Sequence, residues 1–303
     1  MKIVKVEEIA NFLTSKFYGS NLSIQRATSL DNAQDNVVVF SKTLKSIEID
    51  NKCLILVPLN YEYFDHCKYT VIKVENPRLA FAKVVNKFFG YKVDIGISKT
   101  AKIGENSMVD LSVSIGENCV IGKNVVIKKG TIINHNVIIS DGVVIGEDCY
   151  IKSGAVIGED GFGFDFEKDG TPVRIPHIGS VIIGNDVEIG SNTVIVRGTL
   201  NNTIVGDNVK IDDQVFIAHN CKIGDKSVII AFAEISGSVA IGQNCWIGPN
   251  SSIIQKVKIG DNVIIGIGTI ITGDIEDNKK IMGFEGLDLK SLVKVKKRIE
   301  YGK

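Results

Sequence analysis

Five prolines, one tryptophan and no surplus of either charge mark what this 303-residue chain has little of, since 35 basic residues balance 35 acidic ones. The balance, with no long block of one sign, argues against a nucleic-acid arm or a polybasic membrane patch. No apolar run approaches the ~20 residues of a membrane-spanning helix. Glu7 and Glu8 interrupt the opening MKIVKVEEIANFL, so no secretory apolar segment stands there. The six cysteines form no CxxC pair and no zinc-ligand spacing. Without a signal segment they read as reduced thiols in a cytoplasmic protein, and no metal is expected.

What is present is a period. From Ile103 an aliphatic residue returns every sixth position through Val109, Ile115, Ile121, Ile127, Ile133, Ile139, Ile145, Ile151 and Ile157. The phase resumes at Ile183, Ile189 and Ile195, and again from Val205 to Ile271. Six fits neither the 3.6 of a helix nor a long flat strand; it fits short strands joined by corners and stacked coil on coil, a parallel β-helix. Glycine often follows the aliphatic residue, as at Gly104, Gly116, Gly122 and Gly146, where either a side chain would collide or a positive φ is needed. Cys119, Cys149, Cys221 and Cys245 are 30, 72 and 24 residues apart, all multiples of six. They occupy the small-residue slot of the repeat, as buried cysteine can.

Two segments break the period: residues 158–180, and a shorter one around Thr199 to Thr203. Insertions in solenoids tend to loop from one face, often the binding face. The glycines and phenylalanines of the longer one suggest an ordered lid or subunit-contact loop; a plain surface excursion stays open. Residues 1–97 follow another pattern, with VKVEEIANFL and PRLAFAKVVNKFF as helices and NKCLILVPL and YTVIKVE as strands. They predict a small α/β domain, followed by the coil stack over 98–284 and a short basic C-terminal helix over 285–303.

The segment VENPRLAFAKVV ahead of the repeats, DGFGF at 160–164, RIPHIGSVIIG at 174–184, VRGTLNNTIVGDNVKID at 196–212 and VFIAHNCKIGD at 215–225 together resemble the UDP-3-O-acylglucosamine N-acyltransferase family of lipid A synthesis. The resemblance covers nearly the whole chain. It implies a mainly β, left-handed parallel β-helix with about 18 residues per triangular coil, a homotrimer, and active sites between neighbouring subunits.

Amide formation from a thioester needs a neutral amine, a stabilised oxyanion and a group to take the amine's proton. Of the four histidines, His219 lies two residues past the ladder residue Ile217, so its side chain should point outward. The resemblance makes His219 the general base and Asp212 the carboxylate that orients it. Gly237 follows His219 by 18 residues, so it should stack over the imidazole with its N–H as the oxyanion donor. A surface histidine in a turn is the plain alternative. Candidate substrate contacts are Phe40, Asn76, Phe162, Phe164, His177, Asn220 and Phe232, though Asn76 and Pro77 could merely start a helix. Candidate acyl-donor contacts are Gly237, Ser238, Gln255, Lys256, Lys258 and Lys290, whose lysines, with Lys294, suit coenzyme A phosphates or the acidic helix of an acyl carrier protein.

Three positions depart from the family pattern. Lys256 stands at a position often held by a second histidine, Phe232 replaces a glycine near the acyl path, and FSKTLKS at 40–46 lacks the asparagine and tyrosine that accompany uracil recognition. The departures favour a sister activity, transfer of a short acyl group such as hydroxybutyryl from coenzyme A to a dTDP- or UDP-linked amino-deoxysugar. The competing readings are the long-chain, carrier-protein-dependent lipid A acyltransferase, catalysis by alignment without a base, and a non-catalytic scaffold.

Overall fold

A computed structural model describes residues 3–44, 47–63, 67–90, 95–283, 290, 291 and 294. It divides into two compact units, Met1–Lys92 and Val93–Lys303.

In the first unit a five-stranded sheet runs in the order Phe17–Tyr18, Thr70–Val74, Leu54–Pro58, Val37–Phe40, Arg26–Ala27. Its three long inner strands pair in parallel and are buried on both faces, as near-continuous aliphatic runs such as LILV dictate. Helices Val6–Phe12 and Pro77–Val84 supply the flanking apolar residues. The predicted first helix yields its opening residues, Val4–Lys5, to a strand paired with Ser23–Ile24. The second helix continues into a wider π turn over Val85–Phe89.

The second unit is a parallel β-helix, mainly β as its period requires. Two-residue strands stack into three parallel sheets of ten, nine and eight strands among the described residues. Val120, for example, pairs with Ile138, 18 residues on, so three hexapeptides close one coil. The first sheet holds strands such as Lys210–Ile211 and Val228–Ile229, the second Phe216–Ile217 and Glu234–Ile235, the third Lys222–Ile223 and Ala240–Ile241. The second residue of each pair points inward, and the ladder from Ile115 to Ile271 forms one continuous core. Cys119, Cys149, Cys221 and Cys245 sit inside it, and burial pushes the Cys221 thiol up to about 12, so it stays an unreactive thiol. Of the basic helix expected over 285–303, only Lys290, Ser291 and Lys294 lie among the described residues, all helical.

The corners separate two requirements that the sequence pattern had left joined. Glycines after the ladder residue are needed for close approach: a Cβ at Gly104 would lie 2.5 Å from the carbonyl carbon of Gly122, and one at Gly224 2.5 Å from that of Gly242. The left-handed backbone falls instead on a following residue, usually asparagine or aspartate, as at Asn118, Asn136 and Asn208. Phe232, Ser238 and Lys256 carry the same positive φ without that preference.

Such packing makes the core intolerant of holes. Ile127→Ala, far from either break in the period, should lower stability by about 2–5 kcal/mol, read as a fall in the urea midpoint. An unchanged midpoint would mean that the ladder at Ile127, 1% exposed, is not close-packed.

Candidate active site

One edge of the coil stack gathers most of the proposed residues. Each coil turns from the second sheet to the third along this edge, and both breaks in the period occur there. Residues 158–180 leave after Val156–Ile157 and return at Val181–Ile183, while the shorter break separates Val194–Ile195 from Thr203–Val205. The register confirms the lengths: Tyr150 pairs with Glu188 and Glu188 with Lys210, offsets of 38 and 22, or 20 and 4 residues beyond a coil of 18. His219 and Asn220 turn the next coil along this edge, Gly237 and Ser238 the one above, and Gln255 and Lys256 the one above that.

Backbone, amide and hydroxyl groups line His219, with a second histidine behind it. A Cβ on Gly237 would fall 2.6 Å from its Cε1 and 2.7 Å from its Nε2, so bare backbone roofs the imidazole. The Ser238 N–H above donates to the His219 carbonyl at 2.8 Å, holding the coils in register. The Gly237 N–H donates to no group in the described chain. Beside the ring, the Asn220 Oδ1 accepts the Thr199 N–H at 2.8 Å, which turns the Asn220 amide nitrogen toward His219 Nδ1 at 3.1 Å. The Thr199 hydroxyl lies 3.5 Å from the same nitrogen, and Thr203 Oγ1 accepts the Asn220 N–H at 2.9 Å. The shorter break thus frames His219 through Thr199 and Thr203, residues that the sequence signalled only through the break's four extra positions.

The longer insertion is ordered on itself. Phe164–Phe166 and Pro172–Arg174 pair as an antiparallel hairpin, and Arg174 stacks on Phe164 at 4.9 Å while donating to the Gly161 carbonyl at 3.3 Å. At its base Arg197 donates to the Gly158 and Asp141 carbonyls and lies 3.7 Å from Asp160. Phe162 is 86% exposed and free to meet a ligand; Phe164, half-buried against it at 4.9 Å, is not. His177 is buried, and its ring meets His219 edge to face at 5.3 Å.

Several expected contacts fall elsewhere. Asp212 and Phe232 turn coils along the edge between the first and second sheets. The Asp212 carboxylate accepts the Asp213 N–H at 2.8 Å and the Ala231 N–H at 3.2 Å, so within one chain it staples two coils and does not orient His219. His177 is corrected likewise: only 4% exposed, it backs His219 and offers no surface to a substrate. Asn76 caps the helix behind it, accepting the Leu79 N–H at 3.1 Å. Phe40 packs on Phe81 at 5.1 Å beside the first unit's core, so it does not stand free for a pyrimidine. Gln255, Lys256 and Lys258 are exposed, and the Lys258 N–H donates to Asp274 Oδ1 at 2.8 Å. Lys290 is exposed. Among the described residues no cluster of three metal-ligating side chains occurs, and no helix is long and apolar enough to cross a membrane.

Burial first, and the charge of His177 second, hold the His219 imidazole below its ordinary 6.5. His219 is therefore neutral, and able to accept a proton, at neutral pH. A histidine with a depressed folded value takes up its proton more readily when unfolded, so its effect on stability is absent above 6.5 and destabilises as pH falls below it. His219 should titrate below 6.5 by histidine NMR, and His219→Gln should lose less stability than the parent on acidification from neutral pH. A midpoint above 6.5 would contradict the enclosure described.

The six-repeat bacterial transferase hexapeptide model matches residues 124–159, 202–237 and 238–273. The UDP-3-O-acylglucosamine N-acyltransferase of Campylobacter lari is 44% identical over 250 residues, 78% of this chain and 78% of that protein. That of Coxiella burnetii is 54% identical over 78 residues, so the match spans only 23% of the relative's length and 26% of this chain. Among solved structures, the UDP-N-acetylglucosamine acyltransferase of Francisella novicida aligns with a TM-score of 0.58 at 27% identity, over 66% of this chain and 73% of that one. The UDP-N-acetylglucosamine O-acyltransferase of Moraxella catarrhalis gives 0.57 at 27% identity, over 66% and 77%.

Proposed function

The chain belongs to the UDP-3-O-acylglucosamine N-acyltransferase family, and from that premise we propose that it moves a hydroxyacyl group from a thioester of acyl carrier protein to the amine of a UDP-linked, 3-O-acylated glucosamine. The observation that carries the reading is a neutral, half-buried His219 under the unpaired N–H of Gly237, on the one edge where both insertions emerge. The amine nitrogen attacks the thioester carbonyl while His219 takes one of its protons, and Gly237 donates to the developing oxyanion. Collapse breaks the C–S bond, the amide forms, and the thiolate receives the proton held by His219. Exposed Phe162 and the edge residues Ser238, Gln255 and Lys256 are positioned to meet sugar and donor.

A homotrimer is part of the proposal. On the second sheet Val120, Ile138 and Phe216 are exposed, with half-buried Val156 and Val194 between them, an outward apolar stripe suited to a second copy. The sister reading, a short acyl group moved from coenzyme A to a dTDP- or UDP-linked amino-deoxysugar, uses the same chemistry. It rests on Phe232, held at a φ of 63° with its ring 54% exposed: within its own chain it lies off the His219 edge, so in this reading it would shorten the acyl path of a neighbouring copy in the homotrimer. The length and identity of the Campylobacter lari match favour the UDP-glucosamine substrate.

Free-thiol release tests both, with short and long hydroxyacyl thioesters of coenzyme A and of carrier protein against UDP-glucosamine and amino-deoxysugar acceptors. Turnover confined to the long carrier thioester and acylated UDP-glucosamine is the expected result. Turnover confined to short coenzyme A thioesters would replace it with the sister reading, and none with any pair would leave a non-catalytic scaffold.

His219→Ala should lower kcat by about 10²–10⁴ with a smaller change in KM, as loss of a general base does. Near-parental kcat would mean catalysis by alignment alone. Gly237→Ala should lower kcat as well, because its Cβ must displace a ring atom 2.6 Å away; an active Gly237→Ala enzyme would exclude backbone contact above His219 as a requirement.

A further inference from the structure

Beside and above the His219 corner, the outward face of the third sheet is basic. Lys222, Ala240 and Lys258 are direct partners on successive coils, Lys222 with Ala240 and Ala240 with Lys258. Each is the first residue of its strand, so its side chain points out of the coil. Strands in a ladder lie about 4.8 Å apart, which puts the two lysine backbones about 10 Å apart with one methyl group between them. Their four-carbon stems are long and flexible enough for both ammoniums to lean over Ala240. Lys256 stands two residues before Lys258, where that coil turns from the second sheet to the third. All three lysines are exposed, and the ion pairs among the described residues include none of them. Elsewhere on the stack, Lys152 and Lys210 each lie 3.1 Å from a carboxylate, of Asp213 and Asp186. Asp274 and Glu234 are engaged otherwise, accepting the Lys258 N–H at 2.8 Å and the Ser236 hydroxyl at 2.8 Å.

The backbone at this edge disfavours a lysine. Asn220, Ser238 and Lys256 stack one coil apart along it, at φ of 61°, 63° and 67°. The left-handed region suits asparagine, whose short amide can bond locally, and is costlier for a long side chain. Asparagine or aspartate accordingly holds most such corners of the stack, as at Asn244, Asn250 and Asn262. Lys226 shares the geometry at φ 59°, but on the far edge of the third sheet, next to Asp225. A costly corner is therefore not a site by itself. At Lys256 it coincides with the lysine ladder and with the edge that carries His219.

We propose that Lys222, Lys256 and Lys258 form a saddle over Ala240 that binds a phosphate group of one substrate while the reacting end of that substrate lies at His219. Lysine meets phosphate as a point charge, and three ammoniums without carboxylate partners supply the charge that a phosphate ester requires. Ala240 leaves the phosphate room that a larger outward side chain would fill. Both substrates of the proposed reaction carry such a group: the thioester donor at the far end of its pantetheine arm, the acceptor on the sugar carbon next to the one bearing the amine. The saddle rests on the acyl-transfer reading for its substrates, but not for its affinity for phosphate.

Two measurements test it on the full chain. Calorimetry with phosphopantetheine against pantetheine, and with UDP against uridine, separates the phosphate from the rest of each ligand. At low salt the parent should bind one phosphorylated probe about tenfold or more tightly than its unphosphorylated counterpart, and lose most of that preference by about 0.5 M salt. Ala240→Glu, an outward change that adds bulk and negative charge to the saddle, should abolish the preference. A preference for phosphopantetheine assigns the saddle to the donor, and one for UDP assigns it to the acceptor. No preference in either pair, or one that survives Ala240→Glu, overturns the proposal. In steady-state thiol release, Lys256→Asn should raise KM for the same substrate about tenfold with kcat changed less than about threefold, while its urea midpoint rises as the corner is relieved. Lys226→Asn should raise the midpoint alike and leave KM unchanged. A KM for Lys256→Asn within about twofold of the parent, or an equal rise in Lys226→Asn, also overturns it. If the parent releases no thiol from any donor, the acyl-transfer reading fails, and calorimetry alone decides the saddle.

Discussion

Backbone-to-backbone contact between successive coils is the constraint on which the second unit depends. Strands of two residues bury too little surface to persist alone, so each gains its stability by laying an aliphatic side chain on the coil below. Where glycine follows the ladder residue the coils come so close that a Cβ would strike the backbone of the next coil or a side chain at its corner, as at Gly104, Gly122, Gly224 and Gly242. With the inward position given to the core and the corner to glycine, chemistry has only the outward positions and the insertions left to it.

The molecule uses those remaining positions on one edge. His219 is an ordinary corner residue by its place in the repeat, and it becomes distinctive through what the two insertions bring to it. The four-residue break supplies Thr199 and Thr203, which fix the Asn220 amide beside the ring. The longer break supplies His177 behind it. The third neighbour, Gly237, belongs to the repeat itself and comes from the coil above. A neutral imidazole results because burial disfavours the cation, and the second histidine beside it disfavours it further.

The period was legible because short strands and corners return every six residues, and the stacking of Gly237 over His219 followed once the family resemblance supplied a coil of about 18 residues. The break around Thr199 was visible as lost phase, but its purpose was not, since threonines in a turn carry no mark of the histidine they will frame. Asp212 shows the opposite failure. Seven residues is one hexapeptide and one more, which moves a side chain to the next edge, so proximity in sequence to His219 placed it off the site. Asn76 was legible as local structure, a helix cap, whereas Phe40, expected as a substrate contact, packs against Phe81 instead.

By itself the sequence determined an architecture of stacked coils, because that depends on an interaction repeated at a fixed separation along the chain. It also determined that two segments must leave the stack. Only the tertiary structure decided where those segments return. The hairpin of 158–180 folds back until His177 lies 42 residues before its neighbour His219 in sequence yet against it in space, and although 42 is a multiple of six, the breaks in the repeat leave the two without a common phase. Contacts made by looped-out chain depend on the path of that chain through space, and so the partners of the base, unlike the base itself, could be identified only in the folded molecule.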